Sequence, residues 1–210
     1  VPLYNTHDNK DLTIKENDYI NPENSNYYNE LKKFYTFDWP LNFDNIKKEH
    51  LACRNNTVLF NQSSFGKFIV EGDNSTALLD FLSTNTIKKK VGSCTYTLMC
   101  NTQGGIEADL TINRIEKNKY YILVSGAFRQ YNYSWIKKHT DNFKNCHITD
   151  VTENYGVLSI MGRNSKNILN SILNTELDLK FSKHQLININ NVDIRLIRLT
   201  YVGEMGYELH

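Results

Sequence analysis

Residues 96–112 read YTLMCNTQGGIEADLTI, which sets a single carboxylate, Asp109, between a diglycine turn, Gly104-Gly105, and a strand-like run. A glycine has no Cβ, so it tolerates φ > 0 and lets backbone come close to a ligand. A carboxylate that follows such a turn is held by rigid flanks and aimed by a short loop. That arrangement suits a planar, nitrogen-rich ligand that donates hydrogen bonds. A second stretch, YVGEMGYEL at 201–209, carries Glu204 and Glu208.

Outward from these stretches the chain alternates strands and helices. FGKFIVEG (65–72) alternates and ends in glycine, which predicts a strand. Asp73 or Ser75 is positioned to cap a helix through Ala77–Leu82. KYYILV (119–124) is β-branched and aromatic, and RQYNYSWIKK (129–138) has the pattern of an amphipathic helix. Cys146–Ile148, Val157–Met161 and 186–200 supply further strands, the last folded back at Asn190-Asn191, because Asn tolerates the left-handed region. Asn164–Leu173 is a further helix, with Asn164 or Ser165 as cap. Hairpins among helices point to an α+β fold with mixed or antiparallel sheets. No GxGxxG follows a strand and no GxxxxGK[ST] occurs, so neither dinucleotide nor nucleoside triphosphate has an encoded site.

The first 40 or so residues differ in character. They are polar and aromatic without a sustained period, and read as a connecting segment that ends at Asp38-Trp39-Pro40. A helix is expected within it at Asn26–Tyr35, NYYNELKKFY. The chain has 210 residues, 40% of them hydrophobic, so a substantial core can form. A net charge of +1 creates no field for nucleic acid or an anionic membrane. No apolar run approaches the ~20 residues of a membrane helix. The four cysteines contain no CxxC pair and the six histidines no HxxxH or HxH pattern, so no metal site is expected. Asn-x-Ser/Thr sequons at Asn55, Asn61, Asn74 and Asn132 are read as a by-product of an Asn-rich composition.

Three long words occur in order: CRNNTVLFNQSSFGKF (53–68), YTLMCNTQGGIEADLTINR (96–114) and RLTYVGEMGYELH (198–210). On these the chain resembles the folate-binding aminomethyltransferase module. That module is shared by the glycine-cleavage aminomethyltransferase and the dimethylglycine and sarcosine dehydrogenases. VPLY (1–4), YTFDWP (35–40) and IKKEHLACR (46–54) bring it nearest to the sarcosine dehydrogenase group. The resemblance implies a linker over 1–42 from an N-terminal flavin domain. It also implies a folate-binding domain over 43–210 that stops short of a C-terminal barrel. The end at Glu208-Leu209-His210, within a strand-like pattern, gives the same expectation of an internal piece. The implied enzyme oxidises an N-methyl amine on FAD in the flavin domain and captures the one-carbon unit on tetrahydrofolate. The implied location is the mitochondrial matrix in a eukaryote and the cytoplasm otherwise.

Residue by residue, the resemblance makes Asp109 the catalytic aspartate near the folate nitrogens. It makes Tyr96 a tyrosine lining the site, Tyr201 a tyrosine beside the pterin, and Glu208 the glutamate that holds the pterin ring. Ser125 and Cys100 depart from the family's usual residues, and an arginine of the pterin clamp would lie beyond His210. The chemistry also stands by itself. An amino-pyrimidinone edge carries adjacent N–H donors, which one carboxylate can accept in parallel. Asp109 can orient an amine nucleophile or take its proton. A similar module also occurs in the regulatory subunit of pyruvate dehydrogenase phosphatase, so a non-catalytic regulatory domain is the alternative expectation. Retention of both Asp109 and Glu208 favours the enzyme.

Overall fold

The computed structural model describes residues 42–210. The helix expected at Asn26–Tyr35 and the linker before residue 42 lie outside them. The chain divides into two compact units, residues 1–48 and 49–210. Of the first, the described part is 42–48, which begins helix α1 (Phe43–Asn55). Asp44 in its first turn and Arg54 in its last complement the helix dipole.

In the second unit the chain lays down β1 (Val58–Asn61), β2 (Gly66–Glu71), α2 (Ser75–Leu82), β3 (Cys94–Cys100), β4 (Ile106–Glu116) and β5 (Lys119–Val124). α3 (Arg129–Thr140), β6 (His147–Asp150), β7 (Leu158–Met161), α4 (Ser165–Leu173), β8 (Lys183–Ile189), β9 (Val192–Arg198) and β10 (Gly206–Leu209) follow. The strands form two five-stranded sheets, in the orders β3-β4-β5-β2-β6 and β1-β7-β10-β9-β8. Every ladder is antiparallel, which is the α+β arrangement the hairpins required.

Alternation decides what each sheet face touches. Phe68, Val70, Leu110, Ile112 and Ile122 face one way and pack with Leu78 and Leu79 of α2 and Ile136 of α3. Leu78 and Leu79 are fully buried, each contributing about 1.5–3 kcal/mol. Ile69, Tyr121 and Leu123 face the other way and meet Ile197 of β9. The far side of the second sheet, with Ile160, Leu196 and Tyr207, is covered by Leu169 of α4. The sheets therefore enclose an inner layer, and the candidate residues Asp109 and Glu208 lie on strand faces turned toward it.

The helix caps differ from expectation. Asn74, not Asp73 or Ser75, is the N-cap of α2, and its side chain makes no capping bond. The Ser75 hydroxyl instead donates to the Asn118 carbonyl (3.0 Å), and the Asn74 amide donates to the Lys144 carbonyl (2.7 Å). Tertiary partners have taken the groups that local capping would use. α4 starts behind Asn164, one of its two expected caps. Asn190 (φ 51°) and Asn191 (φ 65°) turn the β8–β9 hairpin with two consecutive left-handed residues, as anticipated. Asn132, in a sequon, is buried and donates to the Glu107 carbonyl.

The inner layer carries a buried histidine, His184 on β8. Arg195 donates to its Nδ1 (3.0 Å), so the ring proton sits on Nε2, 3.1 Å from the Arg114 carbonyl. Burial, with Arg195 adding, depresses its pKa from 6.5 to about 4. The unfolded chain thus binds a proton below pH 6.5 that the folded chain refuses until about pH 4. Stability is complete above the unfolded value and declines as the pH falls through this window. A loss of roughly 1 kcal/mol is expected between pH 7 and 5.5. Denaturant melts at the two pH values check it, and a His184→Gln variant should lose that part of the slope.

Candidate functional site

The turn between β3 and β4 is organised by Asn101. Its Oδ1 accepts from the backbone amides of Gln103 (3.0 Å) and Gly105 (2.9 Å), and its Nδ2 donates to Glu107 (2.8 Å). Gly104 has φ +83°, and a Cβ on Gly105 would stand 2.8 Å from the Asn101 side chain. Gly104 is called for by its dihedral and Gly105 by the close Asn101 side chain.

Asp109 does not end the turn. β4 already begins at Ile106, so Asp109 stands inside the strand, opposite Leu98. Tyr96 lies opposite Thr111, diagonal to Asp109 on the same face. The Asp109 carboxylate, by hydrogen bond and by charge, raises the pKa of the Tyr96 phenol.

These side chains border a cavity of about 610 Å³, open on one side. Asp109, Thr111 and Tyr96 come from the first sheet, Phe128 and Tyr131 from the segment after β5, and Glu208 from β10 of the second sheet. Ser125, at the end of β5, also lines it. Ile106, Phe128 and Tyr131 are exposed and form an apolar rim. Among the described residues, three that line it, Glu107, Asp109 and Glu208, are carboxylic acids, and none is Lys or Arg. Such a wall favours hydrogen-bond donors and cations over anions. Glu107 accepts from Tyr131 and Asn101, which hold it below the usual carboxylate range.

The two glutamates of YVGEMGYEL part company. Glu204 turns to Arg54 (3.0 Å) and Arg163 (3.9 Å), an exposed cluster of small energetic worth. Glu208 points into the interior, 4% exposed, with His210 Nε2 at 3.3 Å from its Oε2. The strand boundary explains the contrast: β10 begins only at Gly206, so Glu204 lies before it, whereas Glu208 is opposite Ile197, on the inner face.

Of the four residues named from sequence, Asp109, Glu208 and Tyr96 line this one cavity. Tyr201 does not. It is half exposed, with its ring 5.8 Å from that of Phe60. Burial pushes its phenol up to about 12, and the Glu208 charge adds to the effect. Cys100 also stands outside the lining.

Lys67, His210 and Tyr121 were not singled out from sequence, yet each supports the site. Lys67 has no exposed surface, and its ammonium donates to the carbonyls of Ser63 and Tyr155, each at 2.8 Å. These loops lead from β1 to β2 and into β7, so the lysine staples the two sheets where Phe65 enters the cavity wall. A lysine within the apolar run FGKFIV was the available signal.

Residues 15–210 match the family described as the GCVT N-terminal domain. The mitochondrial sarcosine dehydrogenase of Mus musculus is 39% identical over 193 residues, a match covering 84% of this chain and 21% of that protein. An aminomethyltransferase of Thermosipho melanesiensis is 33% identical over 180 residues, covering 84% and 49%. The crystal structure of glycine cleavage system aminomethyltransferase T from Bartonella henselae superposes with a TM-score of 0.69 at 22% identity, covering 77% and 44%, which shows a shared fold. The chain spans about half or less of the length of these relatives.

Proposed function

We propose a function from one premise: the chain belongs to the GCVT N-terminal domain family. It is the tetrahydrofolate-binding module of a sarcosine dehydrogenase-like enzyme. It captures the one-carbon unit released from an N-methyl amine as methylene-tetrahydrofolate. Oxidation of the amine belongs to an FAD-bearing domain of the same protein, joined through residues 1–42, and the enzyme works in the mitochondrial matrix in a eukaryote and in the cytoplasm otherwise. The folate domain occupies 43–210. The observation that supports this most is the convergence of Asp109 and Glu208, from different sheets, on one aromatic-walled cavity.

The residues present fit a reduced folate. The cavity is of ordinary ligand size and its wall offers carboxylates to a donor-rich ring. Bound there, tetrahydrofolate supplies nucleophilic nitrogens that accept the carbon. Glu208 is buried, so its hydrogen bonds to ring N–H donors form away from competing water. Asp109 is exposed at the open side, where it can orient the amine nucleophile and take its proton. Tyr96, beside Asp109, provides flat apolar surface for the ring system.

Glu208→Gln tests the reading. One acceptor oxygen becomes a donor while the shape is kept. Charge-assisted bonds of this kind contribute roughly 1.5–3 kcal/mol, so tetrahydrofolate affinity should fall about 10- to 150-fold. Calorimetric titration of the intact protein measures it. Unchanged affinity, with a melting temperature lowered by several degrees, would show Glu208 to be a structural acid.

A further inference from the structure

The Glu208 carboxylate is held by a chain of hydrogen bonds that crosses between the two sheets. Backbone bonds between Arg195 and His210 (2.9 and 3.1 Å) extend the β9–β10 ladder by one pair beyond β10. His210, two residues beyond Glu208, therefore faces the same inner layer. Its side chain is fully buried. The imidazole stands edge-on to the Tyr121 ring, with centroids 5.5 Å apart at 88°. The Tyr121 hydroxyl is 3.1 Å from His210 Nδ1, and His210 Nε2 is 3.3 Å from Glu208 Oε2.

The direction of each bond follows from what the groups can do. The Glu208 carboxylate only accepts, so His210 Nε2 donates to it, and the Tyr121 hydroxyl, which can donate or accept, donates to Nδ1. A neutral imidazole that accepts at Nδ1 carries its proton on Nε2. That proton points at Glu208. The opposite tautomer would set a nitrogen lone pair against the carboxylate. The Tyr121 hydroxyl at Nδ1 and the carboxylate at Nε2 thus agree on one tautomer, and that tautomer holds the carboxylate. Each carboxylate oxygen has two lone pairs, so Oε2 keeps one acceptor site for a ligand and Oε1 keeps both.

We propose that His210, set by Tyr121, is a positioning residue for ligand binding: it orients the Glu208 carboxylate toward the cavity. The inference rests on the reading of Glu208 as the folate-holding acid. It assigns Tyr121 and His210 a role through Glu208, since neither borders the cavity.

The test is tetrahydrofolate titration by calorimetry on the intact protein and four variants, with unliganded melting temperatures and kcat at saturating tetrahydrofolate alongside. His210→Leu removes the donor and should weaken binding about 10- to 100-fold, as loss of an outer partner of a ligating group does. His210→Gln places an amide donor near the former Nε2 and should recover most of that loss. Tyr121→Phe removes one hydroxyl at constant volume and should weaken binding about 2- to 10-fold. All three should keep kcat at saturation and melt within a few degrees of the parent. Binding by His210→Leu equal to the parent's overturns the relay. So does equal weakening in the Leu and Gln variants accompanied by a lowered melting temperature, the mark of a packing role. Glu208→Gln separates the two claims. If it alone weakens binding, the relay fails and the folate reading stands; if it leaves binding unchanged, both fail.

Discussion

Asp109→Asn is expected to slow one-carbon transfer to tetrahydrofolate by about 10²–10⁴-fold, the usual loss when a positioned acid or base is removed. The substitution keeps the shape of the side chain and takes away its charge and proton affinity. Asp109 is exposed on β4, and its neighbours hold their places without it. Folding should therefore change little. Amine oxidation, assigned to the flavin domain, should proceed at the parent's rate. The carbon should then leave as formaldehyde even with tetrahydrofolate present. Stopped-flow flavin reduction, with formaldehyde and methylene-tetrahydrofolate assayed together, reads both halves. An unchanged methylene-tetrahydrofolate yield would reduce Asp109 to a structural aspartate.

Such a prediction could be framed at all because the site's components are local in sequence while its assembly is not. β5 and the Asn190-Asn191 turn are legible, since KYYILV is rich in β-branched and aromatic residues and the two asparagines accept φ > 0. β1 is not, because four residues with an intermediate–exposed pattern at a sheet edge leave little signal. Glu204 and Glu208 look alike on paper. Which one turns inward depends on where β10 begins, and that is set by pairing with β7 and β9. The diglycine beside Asp109 is legible, but the turn does not show that Asp109 stands inside a strand, because β4 starts three residues before it. Tyr201 was grouped with the site through its word, YVGEMGYEL, and the fold carries it past the cavity wall. His210 gave no signal, since its meaning comes from Tyr121 on the facing sheet.

Lys67 shows the same dependence on tertiary context, and replacing it should produce the largest loss of local stability. In an alternating strand it reads as the outward, solvated position. In the fold β2 lies between β5 and β6 with both faces covered, so there is no outward side. Burial lowers the pKa of its ammonium, against the pull of Glu153 and Asp150. Two carbonyls, of Ser63 and Tyr155, rely on it. Lys67→Met keeps the length of the side chain and leaves both acceptors without a donor. Each part-buried acceptor left without its donor costs about 1–3 kcal/mol. Relief of the buried charge offsets part of this, which leaves roughly 2–4 kcal/mol. Because the loss falls on two loops, local opening should register it most directly. Amide exchange in residues 62–66 and 152–157 should speed up by about 30- to 900-fold, as that free energy requires. The β3–β4 hairpin, which Lys67 does not touch, should exchange as before. Hydrogen-exchange mass spectrometry on the intact protein compares the segments within one sample. Equal protection in parent and variant at 62–66 would mean that water or a neighbouring group takes over the two carbonyls, and that the sheets are joined by packing alone. Faster exchange confined to these loops, together with weaker tetrahydrofolate binding, would tie the staple to the cavity wall through Phe65.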